Sequence, residues 1–350
     1  MQTQRTRSYS QALHEAIEQE MARDSNVFVM GQGIDDFKGM YGTTKGLVER
    51  FGPNRVFDTP LAEEGMTGIA IGAAMAGMRP IHTHIRMDFM LLAMNQIVNI
   101  AAKSHYMYGG AVSVPIVIRS VIGRSWGQGA QHSQGLHSLF MHIPGLRVVA
   151  PTTPYDAKGC LIASIRDDNP VMFVEHRMVH FQTGHVPEES YTVPIGQARI
   201  LAKGDDVTIV GISHAVVECM RAKVCLEQVG IHAEVIDPVC LSPLDVDTIA
   251  NSVERTGALL VVDSGWTFTG ASAEIVAAVG ERLQGKKAFK FQRMGFAPVP
   301  CPTTKNLEKQ YYPDAAGIAS SAFSLVRGSM EHWKPEIVEA PEILEFKGPF

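Results

Sequence analysis

Cysteine is scarce in these 350 residues, and none of it has metal or disulfide spacing. Cys160, Cys219, Cys225, Cys240 and Cys301 include no CxxC pair and are odd in number. That argues against both a zinc site and a disulfide framework, so they read as reduced, buried thiols of a cytoplasmic protein. Positive charge is also lacking. Lys and Arg total 31 against 36 Asp and Glu, a net charge of -5, so no nucleic-acid partner is expected. No apolar run approaches the ~20 residues of a membrane span. No apolar stretch follows Met1-Gln2-Thr3-Gln4-Arg5 either, so neither a membrane partner nor a signal peptide is expected. HExxH, Walker and EF-hand spacings are absent, and Gly31-Gln32-Gly33 lacks the third glycine of a dinucleotide fingerprint. No internal repeat stands out.

Hydrophobic residues make up 45% of the chain and charged residues 19%. At this length that supports two domains with sizeable cores. Short β-branched runs at Val27–Met30, Arg79–His84, Val114–Ile118, Leu146–Ala150 and Val171–Val174 alternate with helical spacing, and so do runs at Val207–Val210, Ala233–Ile236 and Leu259–Val262. The pattern predicts an α/β fold of two parallel-sheet domains. The first is expected over 1–175 and the second over 196–330. A His-, Gly- and Pro-rich linker is expected at 176–195, and a poorly ordered tail at 331–350. Helices are expected over Thr43–Phe51 and Phe89–Ala102.

The chain is organised around Asp58-Thr59-Pro60-Leu61-Ala62-Glu63-Glu64-Gly65. Pro60 suits a turn into a helix, and Glu63 and Glu64 fall in the first turn, where the helix dipole favours anions. That dipole effect alone would explain them. The helix then holds Gly65, Gly68, Gly72 and Gly77, each costing roughly 1 kcal/mol relative to alanine. Close approach of another backbone is the expected reason. His132 lies in a long glycine-rich loop beside Gln131, Ser133 and Gln134. It suits a general acid/base or an ordinary helix-cap region equally. Phe89 could be core or could stack on a planar ring. His82 and His84 share one face of a strand.

Order and spacing raise these residues above their ordinary readings. Asp58-Thr59-Pro60-Leu61-Ala62-Glu63, Ala73-Ala74-Met75-Ala76-Gly77-Met78-Arg79-Pro80 and Gln131-His132-Ser133-Gln134 closely resemble the beta subunits of the 2-oxo acid dehydrogenases, including pyruvate and acetoin dehydrogenases. Ile143-Pro144-Gly145-Leu146-Arg147-Val148-Val149 and Ile165-Arg166-Asp167-Asp168-Asn169-Pro170 extend the resemblance, which reaches about Val326.

The resemblance implies a thiamine diphosphate enzyme whose first domain binds the aminopyrimidine. Glu63 would be catalytic, a buried carboxyl that hydrogen-bonds the pyrimidine ring nitrogen. Phe89 would stack on that ring, and His132 would assist acyl transfer to a lipoyl group. Ile116, Asp167 and Asn169 match positions around a structural potassium ion. The GDG…N motif that holds diphosphate through magnesium is missing, since Lys203-Gly204-Asp205-Asp206 does not supply it. An alpha subunit is therefore expected to complete the site, in a heterotetramer of two alpha and two beta chains, with a dihydrolipoyl acyltransferase as further partner.

The chain departs from the family pattern at Gln32-Gly33, where an acidic pair is usual, and at His82, His84, Arg86, Arg124 and Trp126. Arg86, Arg124 and His84 near the pocket mouth imply a more polar or anionic substrate than pyruvate. Two alternatives stay open, a two-chain transketolase-like synthase and a non-catalytic scaffold subunit.

Overall fold

The computed structural model describes residues 5–36, 40–123, 127–328 and 333–335. Two compact units emerge. One comprises 1–122 with 139–195, the other 123–138 with 196–350.

The first unit opens with α1 (Tyr9–Arg23). Ser8 caps it by accepting from Gln11 N, while the Gln11 side chain accepts from Ser8 N. This reciprocal pair satisfies two backbone donors the first turn leaves open. Then follow β1 (Val27–Gly31), β2 (Val56–Asp58), α2 (Glu63–Met75), β3 (Arg79–His84), β4 (Val117–Ile122), β5 (Arg147–Val149), α3 (Pro154–Arg166) and β6 (Val171–His176). These six strands are parallel, in the order β5-β6-β4-β3-β1-β2. Strands β1, β4 and β6 are buried throughout, as expected where both faces of a parallel sheet are covered. The carboxyl ends of β1, β3 and β6 lead into Gln32, Arg86 and Arg177, at the edge where ligands bind in open α/β sheets.

Three local expectations change. The helix expected over Thr43–Phe51 is confined to Leu47–Phe51, because Gly42 and Gly46 adopt φ of 82° and 78°, outside helical space. The helix expected over Phe89–Ala102 runs from Met87 to Met107, but tightens over Leu91–Ala93 and widens over Asn95–Ala101. The 176–195 segment, expected as a linker, is built into the first unit. Thr183–His185 pairs antiparallel with Thr6–Ser8, and the buried Lys158 ammonium donates to the carbonyls of Pro187 and Glu188.

The second unit contains β7 (Arg199–Ala202), β8 (Val207–Gly211), α4 (Ala215–Glu227), β9 (Ala233–Asp237), α5 (Val246–Thr256), β10 (Ala258–Trp266), α6 (Ala271–Leu283), β11 (Lys290–Phe296) and α7 (Ala315–Arg327). The sheet order is β11-β10-β8-β9-β7, and only β7 is antiparallel. Val207, Ile209, Leu260 and Val262 pack with Ile318 and Ala322 of α7 in its core. Trp333, expected in the tail, stacks near Phe323 at 5.2 Å between ring centres. The rest of the expected tail, 331–332 and 336–350, lies outside the described residues. The His132 loop, expected within the first domain, clusters with the second unit.

Candidate functional site

In the first unit the site is built at the carboxyl edge of the sheet. Gly31 ends β1 at φ 147°, and a Cβ there would overlap the Thr83 carbonyl on β3. Only glycine lets the chain turn at this point, and the turn places Gln32 beside α2. Gln32 Nε2 donates to Glu63 Oε1 at 3.1 Å. Among the described residues nothing donates to Glu63 Oε2. Glu63 is half-buried, not buried as expected. Asp58 Oδ1 accepts from Ile34 N at 3.2 Å, and Thr59 N donates to Gly31 O at 2.9 Å. These bonds tie the segment before α2 to the end of β1. Gln32 is a site residue the sequence reading noted only as a departure. Its position just past a strand end was the available signal.

The expected approach of another backbone to α2 is not met within this chain. A Cβ on Gly65 or Gly72 would meet nothing within 4 Å, and Gly68 faces only the Gln96 side chain. The same region exposes Leu61, Ile69 and Leu92, each at least 60% accessible.

Phe89, in the first turn of the Met87 helix, exposes 37% of its surface. Arg86 precedes that helix and is half-buried. Burial holds its guanidinium below the usual arginine range, and nearby Arg177 pushes the same way. His84 is not at a pocket mouth. It is buried at 2% exposure and shares the Thr67 hydroxyl with His82, at 3.1 and 3.0 Å. The hydroxyl has one proton to give, so at least one of the two imidazoles must donate to Thr67 Oγ1. Burial pushes His82 down to about 4 and His84 well below its ordinary value. The substrate role expected of His84 is therefore replaced by one beneath α2.

Deeper in the same unit Arg119 forks onto Glu175, with Nε to Oε1 at 2.7 Å and Nη2 to Oε2 at 3.0 Å, both side chains fully buried. Arg177 Nε donates to the Tyr41 hydroxyl at 3.2 Å, and the Tyr41 ring stacks on His180 at 4.5 Å.

Ile116, Asp167 and Asn169 do lie in one neighbourhood, but their donors are occupied. Ile116 O accepts from Val171 N. Asp167 Oδ1 accepts from Asn169 N and Nδ2, and Oδ2 pairs with Arg147 Nε at 2.9 Å. Asp167 O accepts from Arg79 Nη1 at 3.0 Å. Two guanidiniums thus reach this corner, Arg79 at the Asp167 carbonyl and Arg147 at its carboxylate. No group of three or more His, Cys, Asp or Glu side chains suits a metal among the described residues.

His132 belongs to the second unit and is half-buried. Its loop contacts the end of β10. His137 Nε2 donates to Asp263 Oδ1 at 2.8 Å, and a Cβ on Gly135 would overlap the Ser264 carbonyl. Ala130, Gln131 and Gln134 line a cavity of about 700 Å³ with Trp266, Phe268 and Phe296. Arg124, expected to face substrate, lies outside the described residues, as does Trp126. Gly123-Arg124-Ser125-Trp126-Gly127 also has GxSxG spacing. Among the described residues only a single 3-10 turn at Gly129–Gln131 comes before the α-helix at His137, so the direct strand–turn–α-helix context of a nucleophile elbow is not met. All five cysteines are buried and none forms a disulfide, and no helix among the described residues is long and apolar enough to cross a membrane.

Comparison with known proteins covers both units. Residues 5–180 match the transketolase pyrimidine-binding domain and residues 196–318 the transketolase C-terminal domain. The beta subunit of acetoin:2,6-dichlorophenolindophenol oxidoreductase from Cupriavidus necator is 43% identical over 327 residues, 91% of this chain and 96% of its own. The pyruvate dehydrogenase E1 component subunit beta of Rickettsia bellii is 44% identical over 303 residues, 87% of this chain and 93% of its own. A solved split-gene transketolase, described as an inactive beta4 tetramer, shares the fold with a TM-score of 0.74 at 20% identity, covering 91% of this chain and 98% of that one.

Proposed function

The chain belongs to the family of pyruvate and acetoin dehydrogenase beta subunits, built from a transketolase pyrimidine-binding and a transketolase C-terminal domain, and on that premise we propose that it is the beta chain of a thiamine diphosphate-dependent 2-oxo acid or acetoin dehydrogenase. The observation that carries this reading is Glu63 at the start of α2, oriented by Gln32 and leaving Oε2 open, in the same unit as the accessible Phe89 ring. One carboxyl oxygen for a ring nitrogen and one aromatic face for stacking fit an aminopyrimidine. When bound, thiamine diphosphate supplies a carbon nucleophile and an electron sink for the bond that breaks. Glu63 holds the pyrimidine nitrogen and the proton between them, and His132 exchanges a proton during acyl transfer to a lipoyl group.

The chain has no GDG motif, so an alpha subunit supplies the magnesium and diphosphate site. The exposed glycines and apolar side chains of α2 support a partner that packs there, in an assembly of two alpha and two beta chains. A dihydrolipoyl acyltransferase accepts the acyl group. Arg86, held near Arg177, supports a substrate more polar than pyruvate.

The test is Glu63→Gln, assayed in the complex reconstituted with an alpha chain. The expected result is loss of at least a hundredfold in kcat with assembly intact. Undiminished activity overturns the proposal and returns the chain to a scaffold role.

A further inference from the structure

We propose that His137 and Asp263 are positioning residues that hold the His132 loop in its working register. This rests on the reading of His132 given above.

The loop is pinned at two adjacent points. His137, five residues after His132, buries its ring at 1% exposure and donates from Nε2 to Asp263 Oδ1 at 2.8 Å. Asp263 is fully buried in β10, and its other oxygen accepts from Ser272 N at 3.0 Å, in the first turn of α6. One carboxylate therefore joins three segments: the loop end, the central part of the sheet and a helix start. At the second point Gly135 lies so close to Ser264 that a side chain there would overlap the Ser264 carbonyl. The register cannot slide, because every residue beside Gly135 carries a Cβ.

The pinned loop also shapes a cavity through the residues on either side of His132. The pinned loop lends Ala130, Gln131 and Gln134 to the 700 Å³ cavity, and Trp266 and Phe268, which follow Asp263, line it too. The same two contacts thus set both the histidine's anchorage and the cavity beside it. Stability alone does not explain the pair. His137 Nδ1 is buried without a partner among the described residues. A well-packed apolar pair is often as stable as a buried ionic one, so a directional bond here is better explained by the position it enforces.

The experiment uses the complex reconstituted with its alpha chain, with pyruvate as the 2-oxo acid and an isolated lipoyl domain as acceptor. His137→Leu removes the donor but keeps bulk, and His137→Gln restores a donor. The expected result for His137→Leu is a fall of tenfold or more in kcat with the KM for pyruvate within twofold, and faster amide hydrogen exchange over residues 127–138. His137→Gln should recover kcat to within about threefold of wild type. Unchanged kcat and exchange in His137→Leu would overturn the proposal. So would a loss that follows thermal stability equally in both variants. His132→Ala, run alongside, separates the two readings. If it leaves kcat intact, the role of His132 fails and takes the catalytic half of this proposal with it. The exchange measurement still decides whether the pin holds the loop.

Discussion

Gln32 and Glu63 lie 31 residues apart and meet at 3.1 Å, an amide donor against a carboxylate oxygen. The bond leaves one face of the carboxyl engaged and the other open. Gln32→Leu should therefore free Glu63 to rotate. A hydrogen bond to a carboxylate is worth about 1.5 kcal/mol or more, which corresponds to roughly a tenfold loss in rate. Steady-state assay of the reconstituted complex checks this, and an unchanged kcat would count against an orienting role for Gln32.

The buried histidines make stability depend on pH. His82 falls from 6.5 in the unfolded chain to about 4 in the folded one. The unfolded chain therefore takes up the proton first as pH drops. The stabilisation is fully present above pH 6.5 and is lost as pH falls towards 4. Between pH 7 and 5 His82 alone should cost roughly 2 kcal/mol. Urea unfolding of wild type and His82→Asn at the two pH values measures the difference. Parallel behaviour of the two proteins would refute the assignment.

Gly72 separates folding from assembly. A Cβ there meets nothing within this chain, and replacing a mid-helix glycine gains up to about 1 kcal/mol of helix propensity. Gly72→Leu should leave the thermal midpoint of this chain unchanged or raised, yet prevent co-elution with the alpha chain. Normal co-elution would show that α2 does not face the partner.

The Arg119–Glu175 pair predicts strong non-additivity. Removing either partner strands a buried charge at a cost of about 3–5 kcal/mol. Arg119→Leu and Glu175→Leu should each be severely destabilising, and the double substitution much less so than their sum. A double-mutant cycle from chemical denaturation gives the coupling, and additive losses would contradict the paired geometry.

Arg86 bears on substrate choice. Arg86→Ala should raise KM for a hydroxylated or more highly charged 2-oxo substrate by about tenfold, the value of one charge-assisted hydrogen bond, and change pyruvate less. No substrate-dependent difference would remove Arg86 from recognition.

Much of this protein was legible in its sequence. The alternation of β-branched runs and helices marked two parallel sheets, because strands buried on both faces must be almost wholly apolar. The position of Glu63 after Pro60 followed from local turn and dipole chemistry. Phe89 and His132 were marked by their order along the chain. What tertiary structure decided were pairings between distant residues. Gln32 with Glu63, the Thr67 hydroxyl shared by His82 and His84, and His137 with Asp263 are set by sheet order, which local propensity does not encode. His84 looked like a pocket residue because its strand ends at the ligand edge. Packing under α2 made it buried structure instead. The His132 loop looked like part of the first domain because it lies there in sequence. It clusters with the second unit because Gly135 and His137 find their partners on β10, although the match to the pyrimidine-binding domain runs through it.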